Sequence, residues 1–216
     1  MSPRPPQPQI RTALIDAAAR VLAEGQSALT TRRLAAEVGT STMAVYTHFR
    51  GMDELRFAVR QEGFDRLAAH LGAVARTADP VADVAALGGA YVFNALANPH
   101  LYRVMFMDHQ IGDHEEVGEA TFESLVDAVE RAVQAGRFDK ADPYALATQL
   151  WAMSHGIVTL HLARLMTLEE AIESMTEMGR NLFVAFGDDR ASAERSIRAA
   201  FDSFSPQIAT PSEETG

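Results

Sequence analysis

At 216 residues and 47% hydrophobic, the chain is long enough for one large or two modest domains with a sizeable core. It contains no cysteine, which excludes a disulfide framework and thiolate chemistry. The net charge of −10 argues at first against a nucleic-acid partner, but residues 1–56 carry +2 and the remainder −12, so one end alone suits an anionic surface.

No apolar run approaches the ~18–20 residues a membrane span needs. The proline-rich start MSPRPPQPQ lacks the apolar stretch of a signal peptide, so the expected compartment is the cytoplasm, with no membrane partner. Residues 1–8 hold four prolines and are expected to form a disordered arm. Arg4 in that arm is placed to reach a minor groove, although an ordinary loose terminus accounts for it as well.

A first helix is expected over 9–24, where Ile10, Leu14, Ala17, Ala18, Val21 and Leu22 repeat at helical spacing before the stop at Gly25. A second starts at Thr30 or Thr31, either of which can cap it, and ends at Gly39. Ser41 caps a third, which runs through Phe49. Two short helices separated by Gly39-Thr40-Ser41 are the sequence form of a helix-turn-helix, here at about 30–50. Gly51 breaks the chain, and Asp53 and Glu54 then favour the first turn of a fourth helix reaching about Arg76. Further helices are expected near 80–97, 99–108, 115–136, 142–166, 168–186 and 189–204, with Pro80, Pro99 and Pro143 at first-turn positions. Gly88-Gly89 marks a bend or a close contact in the first of these. No segment alternates as a strand does, so the fold class is all-α. The organisation expected is a disordered arm (1–8), a helix-turn-helix DNA-binding domain (9–55), a ligand-binding and dimerisation domain (56–204) and a flexible tail (205–216).

At about 100° per residue, Val45 and Phe49 share a face of the third helix and would pack on Leu34 and Val38 of the second. Met43, Tyr46 and Thr47 then point outward. A phenol can donate to a phosphate or a base edge. Thr30 and Thr31 open the second helix, and Ser41 and Thr42 the third, where backbone N–H groups attract phosphate. Arg32 and Arg33 can reach the DNA backbone or a guanine, and His48 and Arg50 can hold a flanking phosphate.

Enzymatic readings find little support. None of the seven histidines has Glu three residues before it, as a di-iron bundle requires. His114-Glu115-Glu116 begins like a zinc-protease motif but has Gly118 where the second His belongs. Nucleophile elbow, phosphate loop and dinucleotide fingerprint are missing. Asp108, His109, Asp113 and His114 read as a solvated loop. No catalytic residue, metal or cofactor is therefore expected.

The stretch Thr30–Leu55 resembles the DNA-binding signature of the TetR family of bacterial one-component regulators: Thr30, Leu34-Ala35, Gly39, Ser41, Tyr46, His48-Phe49 and Leu55 fall where that family has them. The resemblance covers roughly residues 9–75. It implies a homodimer with two recognition helices in successive major grooves of a palindromic operator. Two positions depart from the pattern. Met43 stands where the family commonly has a small residue, and Met52 where it often has a phosphate-binding lysine.

Further on, Asn98–Phe106 and Trp151-Ala152-Met153-Ser154-His155-Gly156 resemble the C-terminal domain of one subgroup, the second as its Trp-x-x-x-His-Gly motif. By analogy, the helices near 142–166 and 168–186 form a four-helix bundle with a partner subunit. An apolar pocket for a small apolar or amphipathic effector is placed between the fourth helix and the helices carrying these two patches, with Phe93, Tyr102, Met105, Phe106, Trp151 and His155 as its candidate lining. Aromatic and Met stripes at this spacing are usually plain core. The expected function is a ligand-responsive repressor of transcription; the alternative is a helical bundle that binds a small molecule or partner protein and makes no contact with DNA.

Overall fold

A computed structural model describes the backbone of residues 7–107 and 116–208. Among these residues there are ten α-helices and no strand: α1 (Gln7–Glu24), α2 (Thr31–Val38), α3 (Thr42–His48), α4 (Met52–Gly72), α5 (Pro80–Ala97), α6 (Pro99–Met107), α7 (Glu116–Gln134), α8 (Pro143–Leu162), α9 (Leu168–Ala185) and α10 (Arg190–Ile208). A single 3-10 turn, Gln26–Ala28, joins α1 to α2. The all-α class expected from the sequence is the one found. Arg4, most of the expected arm, the Asp108/His109/Asp113/His114 cluster and residues 209–216 of the expected tail lie outside the described residues.

Most helix ends follow from capping chemistry. Asp142 accepts from the Tyr144 N–H at 3.1 Å with Pro143 as first helical residue, and Asp79 accepts from the Val81 and Ala82 N–H groups at 3.1 and 3.2 Å. Thr167 and Glu170 form a reciprocal capping box. Three boundaries differ from expectation. α4 stops at Gly72 rather than Arg76. α8 stops at Leu162 because Arg164 takes a left-handed φ of 61°, where its N–H bonds the His161 carbonyl. α10 runs on to Ile208, into the expected tail. Gly88 makes no close contact, so tight packing does not explain it.

The chain forms two compact units. The first combines residues up to Arg66 with 95–118, that is α1, α2, α3, the first part of α4, and α6. Its core is Leu14, Ile15, Val21, Leu34, Val45, Phe49, Leu55 and Val59, joined by Leu101 and Val104 of α6. Arg66 fastens these parts, donating to Asp16 (2.8 Å), Glu62 (2.8 Å) and the Asn98 side-chain oxygen (2.9 Å). Packing thus cuts across the boundary expected at residue 55. Sequence reasoning assigned α6 to the second domain, and the sequence distance between Asp16, Arg66 and Asn98 concealed the link.

The second unit contains residues 67–94 and 119–216. Its core includes Val81, Val84, Val129, Phe138, Leu146, Leu150, Phe183 and Ile197. A charged network holds one side. Arg137 donates two bonds to buried Asp188 (2.7 and 2.8 Å), one to Asp79 and one to Ser196, whose hydroxyl donates to Asp79 at 2.6 Å. Arg131 and Thr77 both bond buried Asp83 at 2.6 Å. Burial alone would raise the Asp79 pKa, but the Ser196 hydroxyl, the two N–H groups and Arg137 outweigh it and hold the carboxyl below its ordinary value. Its contribution to stability is present above the unfolded carboxylate range and is lost as pH falls through the lower folded value.

α5 corrects one expectation. Its 18 residues, mean hydropathy 1.3, are long and apolar enough to cross a membrane, yet 61% of that window is buried in the protein and Asp83 and Asn94 lie inside it. It is a core helix.

Candidate nucleic-acid interface

α2 and α3 carry the expected turn chemistry. The Thr30 hydroxyl accepts from the Arg33 N–H at 3.2 Å and starts α2; Gly39, at φ 69°, closes it. Ser41 accepts from the Ala44 N–H at 3.1 Å and starts α3. Val45 and Phe49, both 2% exposed, enter the core with Leu34, and Val38 packs against its edge. That inward anchoring decides the outward face. Met43 is 71% exposed and Tyr46 55%.

The other candidates divide by what they already hold. Thr42 is exposed, and the Thr47 hydroxyl donates to the Met43 carbonyl at 2.9 Å, leaving its oxygen lone pairs as acceptors. Thr31 and His48 are half-buried, His48 against the Phe49 ring. Arg32 and Arg50 are exposed, and among the described residues neither guanidinium makes an ion pair. Arg33 is different. Its guanidinium donates to both carboxylate oxygens of Glu24, at 2.7 and 2.8 Å, and to Glu37 at 3.2 Å. The expectation that Arg33 sits ready for a phosphate is corrected on that point: it ties α2 to the end of α1. The i,i+4 spacing to Glu37 was visible in the sequence; the partnership with Glu24, nine residues away across a turn, was not.

Two features escaped sequence reading. Arg11 of α1 lies over the Phe49 ring at 5.4 Å, a cation–π contact that braces the end of α3. Met52 packs partly against the core of this unit, and the adjacent Arg50 N–H donates to Glu54 at 3.0 Å. The first residue of α4 is thus a packing residue.

The six candidates for a small-molecule pocket separate between the units. In the first, Tyr102 and Met105 are 1% and 4% exposed; Tyr102 packs on Phe106 (4.9 Å) and Phe106 on Phe64 (5.8 Å). Met105 lies so close to Gly63 that a Cβ there would come within 2.6 Å of its sulfur. In the second, Trp151 and His155 stack at 5.5 Å as their spacing predicts, with Phe122 edge-on to Trp151, and the Tyr91 hydroxyl pairs with His155 Nδ1 at 3.2 Å. Burial lowers the His155 pKa, which favours the neutral imidazole. Phe93 is 37% exposed and stands against His70 at 5.3 Å. Among the described residues no three His, Asp or Glu side chains converge as metal ligands.

Residues 14–59 match the family of bacterial regulatory proteins, tetR family, and residues 84–183 match the tetracyclin repressor-like C-terminal domain. An uncharacterised HTH-type transcriptional regulator of Mycobacterium tuberculosis, Rv0681, is 27% identical over 143 residues, 66% of this chain and 65% of its own length, a little under two thirds. A protein of unknown function from Rhodococcus sp. RHA1 is 31% identical, with a TM-score of 0.72 over 83% of this chain and 96% of that one. PfmR, a TetR family transcriptional regulator from Thermus thermophilus, shares the fold at 19% identity, with a TM-score of 0.69 over 82% of this chain and 99% of its own. With residues 14–59 and 84–183 both matched, the chain belongs to the TetR family of helix-turn-helix transcriptional regulators, a family of regulators rather than enzymes.

Proposed function

We propose that the protein is a cytoplasmic, ligand-responsive repressor that binds a palindromic operator as a homodimer. The observation that carries the DNA reading is the outward face of α3. Met43 and Tyr46 are exposed there because Val45 and Phe49 hold the opposite face in the core. Tyr46 and Thr47 suit a major groove, and Met43 offers apolar contact to a thymine methyl. Thr30, Thr31, Ser41, Thr42 and His48 flank that face. Arg32 and Arg50 are its phosphate contacts. Two such contacts per head, in two heads, give a log–log salt slope of about −3.6 from the counterions they release. The alternative, a helical bundle indifferent to DNA, has no use for an exposed tyrosine and two guanidiniums without ion pairs among the described residues around a capped short helix.

α8 and α9 support the dimer. They and the turn between them carry Leu160, Leu165, Leu168, Ile172 and Met178 at 41–76% exposure, apolar surface that a partner subunit would cover. An effector acts by population shift: it binds preferentially to a conformer in which α4 holds the two heads out of register with successive grooves. A coupling of ~1–3 kcal/mol weakens operator binding roughly 5- to 150-fold.

Selection of genomic fragments by the purified protein tests the reading. A palindromic site is expected near the protein's own gene, with affinity falling as salt rises. Tyr46→Ala should abolish specific retention while the dimer persists. Retention of no fragment above bulk DNA at any salt would end the regulator reading, and unchanged operator affinity in Tyr46→Ala would remove that side chain from the interface.

A further inference from the structure

We propose that the effector site is the cavity between the end of α4, α5 and α10, and that it takes a flat, uncharged aromatic molecule carrying a hydrogen-bonding group. This rests on the ligand-responsive reading above. The cavity encloses 480 Å³, and its whole wall belongs to the second unit. That volume lies within the range of small-molecule sites.

The wall explains the ligand class. α5 contributes Ala82, Ala86 and Ala90, which recur every four residues on one face, and α10 contributes Ala199 and Ala200. Methyl groups are too short to fill the space between these helices, and they present smooth apolar surface, as a flat ring requires. His70 and Phe93 form the aromatic end, with their rings 5.3 Å apart and tilted by 56°. Phe93 leaves 37% of its surface in water, which a bound ring would cover. The imidazole of His70 supplies a polar contact at the same end.

Asp79 and Asp83 stand at the opposite end. Their guanidinium partners, Arg137 and Arg131, form no part of the cavity wall. A ligand there meets the open side of two ion-paired carboxylates and no positive group, so an anion finds no partner. A cation gains little, because Thr77, Ser196 and the two arginines already occupy these oxygens. An uncharged molecule remains. His70 also lies in the last turn of the helix that begins at Met52, three residues after Phe49 of the reading head. Occupancy at this end of α4 therefore bears on the same helix that leaves the helix-turn-helix.

The absence of native cysteine gives a clean test. Ala199 is an exposed wall residue, so Ala199→Cys can be purified folded and then modified with N-cyclohexylmaleimide, which separates blocking from folding. The probe is N-phenyl-1-naphthylamine, a neutral fluorophore of three aromatic rings. The unmodified variant should bind it saturably, bound probe should slow modification of the new thiol, and modification should weaken probe binding by about tenfold or more. The sulfonated analogue 8-anilinonaphthalene-1-sulfonate should bind more weakly by a similar factor. No saturable binding, or binding indifferent to the modification, overturns the site; equal binding of the sulfonate overturns the ligand class. Binding that the modification blocks, with operator affinity unmoved by the probe or by any compound that competes with it, keeps the site and removes the ligand-response reading. Operator release by a compound indifferent to the modification keeps that reading and removes this site.

Discussion

Methionine and tyrosine three residues apart occur twice in the first unit, with opposite fates. On α3, Met43 and Tyr46 are 71% and 55% exposed; on α6, Met105 and Tyr102 are 4% and 1% exposed. Spacing and residue type are the same, so neither decides burial. The neighbours do. α3 has seven residues and spends its inward face on Val45, with Phe49 as its C-cap, and among the described residues no element covers the other side. α6 turns Leu101 and Val104 into the core of the head and sets Tyr102 against Phe106, with Met105 in the space that Gly63 of α4 leaves open. An aromatic side chain that is covered supports the fold, and one left bare by its own helix's anchoring is available to a partner.

The largest effect should separate the two tyrosines. Tyr102→Ala is expected to cost about 3–5 kcal/mol in denaturant unfolding, as other large aromatic truncations in cores do. Tyr46→Ala should stay within about 0.5 kcal/mol of the parent. Equal losses would dissolve the contrast. Next in size is the packing behind Met105. Gly63→Ala forces the Met105 side chain to move and should cost about 1–3 kcal/mol. Combining it with Met105→Ala should cost less than the sum of the two single changes, which a double-mutant cycle reads directly. Strict additivity would show that the two do not meet.

On the exposed side, Met43→Ala should leave the unfolding midpoint unchanged and weaken the operator by about 1 kcal/mol, through loss of apolar contact at a single base position. Operator variants at each position would locate it, and a uniform loss across all variants would make Met43 a sequence-independent backbone contact instead. The smallest effect concerns Arg33. Glu24→Gln removes its bidentate partner while stability barely changes, since exposed ion pairs contribute little. The freed guanidinium should steepen the salt slope by about 0.9 per head. An unchanged slope would mean that Arg33 serves only to fasten α2 to α1.

The sequence by itself determined the helices and the reading head. Helix propensity, caps and stops are local, and Thr30, Gly39, Ser41, Asp142 and Thr167 act within four residues of themselves. The anchoring of α3 was also legible, because an i,i+4 pair such as Val45 and Phe49 must share a face. The ends of α4 and α8 were less so. They depend on how the chain leaves the helix, as the left-handed turn at Arg164 shows.

Only the tertiary structure decided which charges are spent and which aromatics are covered. Arg33 and Arg32 are adjacent in sequence and equally basic, yet Glu24 lies within reach of one, and the other makes no ion pair among the described residues. α6 joins the head because Arg66 bonds both Asp16 and Asn98, residues far apart along the chain. The alanines of α5 and α10 border one cavity for the same reason. Local chemistry fixes a helix and its faces, but what each face meets depends on residues brought together from a distance, and no local pattern records them.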